Sequence, residues 1–259
     1  MTAQALIAPL LPAGVAVAEE RGDPPHARLP AQEAAHVARS VPERRREFTT
    51  VRLCARRALA QLGVPAAAIL PGLHGAPQWP AGVVGSMTHC RGYRGAALAR
   101  RRDIAALGID AEPAEPLADG ILEAIATAGE QARIRRLLRS RPSIPWDRLL
   151  FSAKEAVYKS TFPATGVRLG FEDVAITFDP ADGSFRARLA IPAPAHGQSR
   201  TVLIGRWSAA CGLLLTAVPL PAAGRPMRTA PGTEEDAYAG RVPHACAAAR
   251  PADAHGARH

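Results

Sequence analysis

Residues 83–109, VVGSMTHCRGYRGAALARRRDIAALGI, decide the fold of this chain. Three short apolar runs lie within this stretch, at 83–88, 93–99 and 104–109, and glycine or charged residues separate them. Apolar runs of this length with flanking glycines are typical of buried strands rather than of helices. The stretch therefore predicts three consecutive strands.

A long amphipathic helix precedes these strands. It begins just after Pro42, and apolar residues recur in it at steps of three and four positions, which defines a stripe facing the core. Gly63 and Pro65 end the helix, and residues 70–82 form a loop rich in glycine and proline. Nearer the N-terminus we expect at most one short strand, at 15–18. The apolar stripe consists of Phe48, Val51, Ala55, Leu59 and Leu62.

Helices and then further strands follow residues 83–109. We expect one helix over about 120–139 and another over about 145–160, which Pro163 stops. Apolar and polar residues then alternate as in strands, and apolar runs at 201–207 and 212–218 end the ordered part. This order of elements argues for an α+β or α/β fold. The alternating apolar positions are Val174, Ile176 and Phe178, then Phe185, Ala187, Leu189 and Ile191.

The composition excludes several classes of protein. Of 259 residues, 47% are hydrophobic and 21% are charged, as in globular proteins, and no apolar run approaches the roughly 20 residues that a membrane helix needs. Residues 5–20 faintly resemble a signal peptide but lack a basic n-region and are broken by prolines. The four cysteines show no paired metal spacing. We therefore expect a cytoplasmic protein with no membrane partner.

The basic residues are unevenly divided between arginine and lysine. The net charge is +9, which predicts an anionic partner. Of 32 basic residues 30 are arginine, and the two lysines, Lys154 and Lys159, both lie in KEAVYK. Because a compact ammonium differs from a planar guanidinium, this exception indicates a chemical role for the segment. An exposed ion pair between Glu155 and Lys159, four positions apart on a helix, is the alternative.

Residues 108–113, Gly-Ile-Asp-Ala-Glu-Pro, lie at the end of a predicted strand. Asp110 and Glu112 are two positions apart, so their carboxylates share one face of the strand. Paired carboxylates at a strand end suit Mg²⁺. A solvated acidic turn that Pro113 ends is the alternative, and the motif taken alone favours it.

Seven arginines lie on or near the helix after Pro42. Arg52 and Arg56 share a face of that helix, and Arg45 lies close to the same line. They could bind a phosphate, form a solvated face, or bind nucleic acid. Aromatic residues total only 5% and no nucleic-acid-binding motif is visible, which disfavours the last. The seven are Arg39, Arg44, Arg45, Arg46, Arg52, Arg56 and Arg57.

The run Val84–Cys90 is rich in glycine, serine, threonine and histidine. Such residues offer short donors and a close approach of the backbone to an anion. A nucleophilic pair of His89 and Cys90 is disfavoured, because adjacent residues of a strand point to opposite faces. Taken alone, the run is a weak indication of an anion site.

Taken in chain order, three of these segments closely resemble the 4′-phosphopantetheinyl transferases of the Sfp type, in the branch similar to component D of enterobactin synthase. They are Gly85–Cys90, Gly108–Pro113 and Phe151–Lys159. Arg44–Leu59 and Gln78–Pro80 fit the same pattern, and the likeness covers roughly residues 10–220. The combination of Asp-x-Glu with Lys-Glu-Ala-x-x-x-Lys makes it specific.

The resemblance implies a function and a fold. Enzymes of this family move the phosphopantetheine arm of coenzyme A to a serine of an apo carrier protein and release adenosine 3′,5′-bisphosphate, with Mg²⁺. The implied α+β fold has two similar halves related by a pseudo-twofold axis, with the coenzyme in the cleft between them. We place the halves at 1–112 and 113–220, and residues 221–259, which show no periodicity, as a disordered tail. We expect a monomer.

The resemblance also implies roles for single residues. Asp110, Glu112 and Glu155 would hold Mg²⁺, and Lys159, with Lys154, would face the pyrophosphate. Asp110, Glu155 and Lys159 form the expected catalytic group, with Glu155 as the base. The positions expected to bind coenzyme A are Arg44, Arg52, Gly72, Leu73, His74, Thr88, His89, Asp110, Glu155 and Lys159.

One position departs from the family pattern. His74 stands where many relatives carry lysine, which puts a strong charge contact from it in doubt at neutral pH. Two alternative functions remain open: a basic nucleic-acid-binding or regulatory protein that uses the arginine-rich helix, and a family member that has lost activity and only binds carriers. The motifs do not indicate whether the carriers belong to fatty-acid, polyketide, nonribosomal-peptide or siderophore synthases.

Overall fold

The computed structural model describes residues 5–195 and 198–223. Of the predicted disordered tail, 224–259 lie outside the described residues. Within the described part, the N-terminal sheet has three antiparallel strands in the order β1-β3-β2, and two helices accompany it. These elements are β1 (Ala16–Glu20), α1 (Ala31–Val37), α2 (Pro42–Gln61), β2 (Val83–Cys90) and β3 (Tyr93–Arg100).

The second sheet has five antiparallel strands in the order β4-β8-β7-β6-β5. The longest helix of this part, α5, packs against β4 and β8, and its buried face includes Leu149, Leu150, Ala153 and Val157. The elements are β4 (Ile104–Pro113), α3 (Ile121–Ile125), α4 (Ala128–Ser140), α5 (Trp146–Thr165), β5 (Val174–Asp179), β6 (Ser184–Ala195), β7 (Gln198–Ala210) and β8 (Leu213–Pro221).

Side-chain hydroxyls on β2 join the two sheets. The backbone N–H of Ile109 donates to Ser86 Oγ at 3.1 Å, and the N–H of Ala111 donates to Thr88 Oγ1 at 3.0 Å. Strand β4 therefore pairs with β8 on one side and lies against β2 on the other. The boundary between the halves at residue 112 stays a prediction.

The structure confirms the three strands predicted from residues 83–109, and extends the first to Cys90 and the third to Pro113. The α+β class is also confirmed, with two sheet regions that each carry a long helix. No helix among the described residues is long and apolar enough to cross a membrane.

Two helix predictions are wrong. The single helix expected over 120–139 is broken after α3, because Thr127 and Glu130 form a capping box that starts α4. Helix α5 does not stop before Pro163 but continues to Thr165. A proline so near the C-terminus removes only one hydrogen bond, and Gly166, with φ 67°, closes the helix by donating to the Phe162 carbonyl.

Candidate active site

A cleft of about 300 Å³ lies between α2, β2, α5 and the 3₁₀ turn Leu73–Gly75. Its lining brings together residues from both halves of the chain. Six of the residues expected to bind coenzyme A line it: Arg44, Arg52, His74, His89, Glu155 and Lys159.

Asp110 and Lys159 form an ion pair beside this cleft. Lys159 Nζ donates to Asp110 Oδ1 at 2.5 Å, and the Thr88 hydroxyl donates to the same oxygen at 3.2 Å. Burial alone would lower the pKa of Lys159, but the attraction of Asp110 and its hydrogen bond outweigh burial and raise that pKa. Lys159 is therefore a firmly protonated cation. The alternative of an exposed ion pair with Glu155 alone is wrong.

The second oxygen of Asp110 is left without a partner. Asp110 is only 4% exposed, and within the described residues nothing forms a hydrogen bond with its buried Oδ2. A buried acceptor without a partner costs about 1–3 kcal/mol, more when it is charged. Such an atom therefore points to a cation or a donor that the protein binds.

Glu112 follows Asp110 on the same face of β4. Its Oε2 accepts from Arg148 at 3.0 Å, and Arg148 also donates to the carbonyls of Glu115 and Pro116. Burial raises the pKa of Glu112, the charge of Asp110 adds to that rise, and Arg148 opposes it. Sequence reasoning missed Arg148, because this contact depends on how residues 113–116 wrap around the start of α5.

Glu155 lines the cleft from α5, one turn before Lys159. Burial raises the pKa of Glu155, Lys159 opposes the rise, and Asp110 adds to it. The carboxylate therefore gains a proton more readily than an exposed glutamate does, which suits a base that works near neutral pH.

The carboxylates of Asp110, Glu112 and Glu155 are the candidate ligands of a metal ion. Among residues 5–195 and 198–223, no group of three or more His, Cys, Asp or Glu side chains is placed to hold a metal ion. Asp110 is paired with Lys159, and Glu112 is paired with Arg148. The donor set of carboxylate oxygens is nonetheless the one that Mg²⁺ prefers, and Asp110 Oδ2 is free to accept a cation. The donor atoms of these residues fit Mg²⁺, which would share Asp110 with Lys159 and Glu112 with Arg148.

His89 lies on β2 in the lining of the cleft, between Arg44 and Glu47. Its Nε2 is 2.7 Å from Arg44 Nη1, and its Nδ1 is 3.5 Å from Glu47 Oε2. Burial lowers the pKa of His89, with Glu47 opposing and Arg44 adding to the effect. The imidazole is therefore neutral, with Nε2 accepting from Arg44. Glu47 was missed by sequence reasoning, although it is the one acidic residue in RRREFTTVRL.

Arg52 lies deeper in the cleft wall and is 5% exposed. Its guanidinium carbon is 3.2 Å from the centre of the Phe48 ring, and its Nε donates to the Ile69 carbonyl at 3.0 Å. Burial is the main cause that lowers the pKa of Arg52 to about 10, which still leaves it protonated at neutral pH. Arg52 thus places a positive charge in the cleft wall, and its bond to Ile69 fixes the backbone just before the loop at residues 70–82.

The remaining expected residues lie around the cleft. Gly72 accepts from the Gly75 N–H across the 3₁₀ turn, Leu73 is 67% exposed, and His74, with φ 50°, sets its ring edge-on to Phe162 at 5.6 Å. The Thr88 hydroxyl is engaged with Asp110 and Ala111.

Lys154 and Arg56 both lie away from the cleft. The expectation that Lys154 faces the pyrophosphate is wrong: it is 2% exposed and bonded to Glu130 on α4. Arg56 pairs with Glu33 of α1 and does not line the cleft.

Comparison with known proteins identifies the family. Residues 32–99 match the model of the 4′-phosphopantetheinyl transferase N-terminal domain, and residues 106–211 match that of the 4′-phosphopantetheinyl transferase superfamily. Together the two matches cover the long helices α2 and α5 and most of both sheets, leaving out β1 and β8.

Three curated relatives align over nearly their whole length. The 4′-phosphopantetheinyl transferase Svp of Streptomyces mobaraensis is 50% identical over 240 residues, which cover 90% of this chain and 97% of Svp. PptT of Mycobacterium tuberculosis is 49% identical over 229 residues, 85% of this chain and 100% of PptT. Npt of Nocardia iowensis is 44% identical over 223 residues, which cover 82% of this chain and 99% of Npt. This chain therefore belongs to the 4′-phosphopantetheinyl transferase family.

Proposed function

We propose that the cleft binds coenzyme A with Mg²⁺ and transfers its phosphopantetheine arm to a serine of an apo carrier protein. The observation that carries this proposal is the pairing of Lys159 with the buried Asp110, beside Glu155, at a cleft that Arg44 and Arg52 also line. Cations from both α2 and α5 suit a ligand with two separate phosphate groups.

The acidic residues are proposed to hold the metal ion. Asp110, Glu112 and Glu155 would bind Mg²⁺, which supplies positive charge to the pyrophosphate oxygens. Asp110 Oδ2 already lacks a partner within the part of the chain that the structure describes. Arg148 orients Glu112 and fixes residues 115 and 116 beside it.

The basic residues are proposed to hold the adenosine 3′-phosphate. Arg44 and Arg52 both line the cleft, close enough for the charge of Arg44 to lower the pKa of Arg52, and the neutral ring of His89 accepts from Arg44 and so orients it. The Thr88 hydroxyl is already used within the protein, so any contribution from Thr88 comes through its support of Asp110. His74 lines the cleft from the 3₁₀ turn.

Phosphoryl transfer depends mainly on positioning and on neutralising charge. Glu155 takes the proton of the carrier serine as that oxygen bonds to the β-phosphorus. The bond from this phosphorus to the bridging oxygen breaks, and adenosine 3′,5′-bisphosphate leaves with the electron pair. Lys159, which stays protonated, offsets the charge that builds on the leaving oxygen.

A mass measurement on the carrier tests this function. The full chain, Mg²⁺, coenzyme A and an apo carrier protein are incubated, and the intact mass of the carrier is expected to rise by one phosphopantetheine group. A carrier whose acceptor serine is replaced by alanine is the control and should not change. Carriers from fatty-acid, polyketide, nonribosomal-peptide and siderophore synthases form the panel. No increase on any of them, with a folded enzyme, would contradict the proposal.

A further inference from the structure

Two buried glutamates occupy equivalent places in the two halves. Glu33 lies on α1, before the long helix α2, and Glu130 lies on α4, before the long helix α5; both are at most 1% exposed. Glu33 accepts from the Ile69 N–H at 2.7 Å, and Glu130 accepts from the Ile176 N–H at 2.7 Å. Each glutamate thus ties the segment after a long helix to the short helix before it.

Each glutamate also pairs with a cation on its long helix, and here the halves differ. Arg56 of α2 bonds Glu33 at 2.8 Å with 16% of its side chain exposed, whereas Lys154 of α5 bonds Glu130 at 3.0 Å with 1% exposed. A fully buried cation that loses its partner is more costly than one that is partly exposed to solvent. The pair in the second half is therefore the tighter constraint.

Lys154 forms hydrogen bonds with two backbone carbonyls besides its bond to Glu130. Its ammonium donates to the Ile125 carbonyl at 2.7 Å and to the Phe171 carbonyl at 2.7 Å, besides Glu130. An ammonium has three protons, so all three are used, on α3, on α4 and on the chain after α5. One side of α5 is thereby fixed to three separate segments.

These contacts account for a lysine at this position in a chain that otherwise uses arginine. Three acceptors surround a single nitrogen, which an ammonium satisfies with its three donors. A planar guanidinium spreads its donors over a larger fork and does not fit one such centre. The three buried acceptors around its nitrogen therefore explain the lysine at position 154, and contact with a bound anion does not.

We propose that Lys154 is a positioning residue for the transfer reaction, which sets the rotation of α5 and with it the places of Glu155 and Lys159 against Asp110. This inference rests on the roles proposed above for Glu155 and Lys159. Glu155 is the next residue along α5, about 100° further around the helix, and Lys159 lies one turn beyond it. Holding Lys154 therefore holds both.

A small rotation would be enough to disturb the site. Side-chain atoms lie about 5–6 Å from the axis of a helix, so a rotation of about 10° moves them by about 1 Å. A displacement of about 1 Å can lower a rate by about 100-fold. Residues of α2 and β2 also line the cleft in which coenzyme A is proposed to bind, so its binding should be much less affected.

The test compares the same substitution in both halves. Lys154→Met should lower kcat by about 10-fold or more, with the KM for coenzyme A changed by less than about 2-fold. With Mn²⁺ as the probe and coenzyme A present, electron paramagnetic resonance should show Mn²⁺ binding weakened by about 5-fold or more. Arg56→Met should lower the Tm while its kcat and Mn²⁺ affinity stay within about 2-fold of wild type.

Two further variants keep the outcomes separate. Wild-type kcat and Mn²⁺ affinity in Lys154→Met, with a Tm loss like that of Arg56→Met, would overturn the positioning role. If Lys154→Met does not fold, Glu130→Gln decides in its place: lower kcat and weaker Mn²⁺ binding support the role, and wild-type values overturn it. Glu155→Gln tests the proposed function itself, which fails if that variant binds Mn²⁺ and transfers as wild type does.

Discussion

A Cβ atom on Gly108 would lie 1.9 Å from the carbonyl oxygen of Ala156. The backbones of β4 and α5 therefore touch, two residues before Asp110 on the strand and one residue after Glu155 on the helix. Only glycine permits this approach. It is the reason that the metal-binding candidates of the strand and of the helix can meet at all.

Gly108→Ala should separate this strand from this helix. Overpacking at a backbone contact costs about 1–3 kcal/mol, and the shift also moves Lys159 away from Asp110, so we expect both lower stability and much lower transfer activity. Urea unfolding and the carrier mass assay measure the two effects. Gly129→Ala is the matched control, because the nearest atom to its added Cβ is at 3.5 Å. Equal effects of the two substitutions would contradict the role of Gly108.

The sequence predicted the strand part of the site well. Strand periodicity placed Asp110 and Glu112 on one face, and the structure has both on β4, with Asp110 bonded to Lys159 of the cleft lining. That prediction depended only on local pattern. The sequence pattern could not predict that Lys159 pairs with Asp110 at the cleft whereas Lys154 pairs with Glu130 away from it. The two lysines lie five positions apart, hence about 140° around the helix, and which side faces the cleft depends on α3, α4 and the chain after α5.

The start of α4 does have a local signal in the sequence. Thr127 and Glu130 have the spacing that starts a helix, and Glu130 proved to be the buried partner of Lys154 as well. Arg148 and Glu47, in contrast, act through contacts with distant segments. The spacing of apolar residues along the sequence does not indicate which distant segments such side chains contact.

Glu155→Gln should abolish transfer while the protein remains folded. The amide can neither accept the serine proton nor supply a carboxylate to the metal ion. Burial raises the pKa of Glu155, so at pH values above that pKa the ionised form opposes folding, and a neutral side chain of the same shape removes this cost. We expect an unchanged or higher Tm at pH 8 by thermal unfolding. Activity near the wild-type level would refute the assignment of both roles.

Lys159→Arg should lose most of the rate although the charge is kept. The ammonium reaches Asp110 at 2.5 Å from within the cleft wall, and the larger planar guanidinium cannot take the same place. We expect kcat to fall by about 10- to 100-fold, with the KM for coenzyme A changed by less than about 3-fold. Steady-state kinetics on one carrier measures both constants. A wild-type kcat would show that only the charge matters.

Arg44→Ala should weaken coenzyme A at its 3′-phosphate in particular. A hydrogen bond to a charged group contributes about 1.5–3 kcal/mol, which corresponds to a rise in KM of about 10- to 100-fold. The value of kcat should change little, because Arg44 is proposed to contact the 3′-phosphate and not the reacting phosphate. With dephospho-coenzyme A, which lacks the 3′-phosphate, the same substitution should change KM by less than about 3-fold.

Arg45→Ala is the matched control for Arg44. It removes a neighbouring arginine that is exposed and does not line the cleft, so KM should stay at the wild-type value for both coenzymes. An equal rise in KM for coenzyme A and its dephospho form in Arg44→Ala would show that Arg44 supports the cleft without contacting the 3′-phosphate. The difference between the two coenzymes isolates the contact, because the loss of the Arg44 bond to His89 affects both alike.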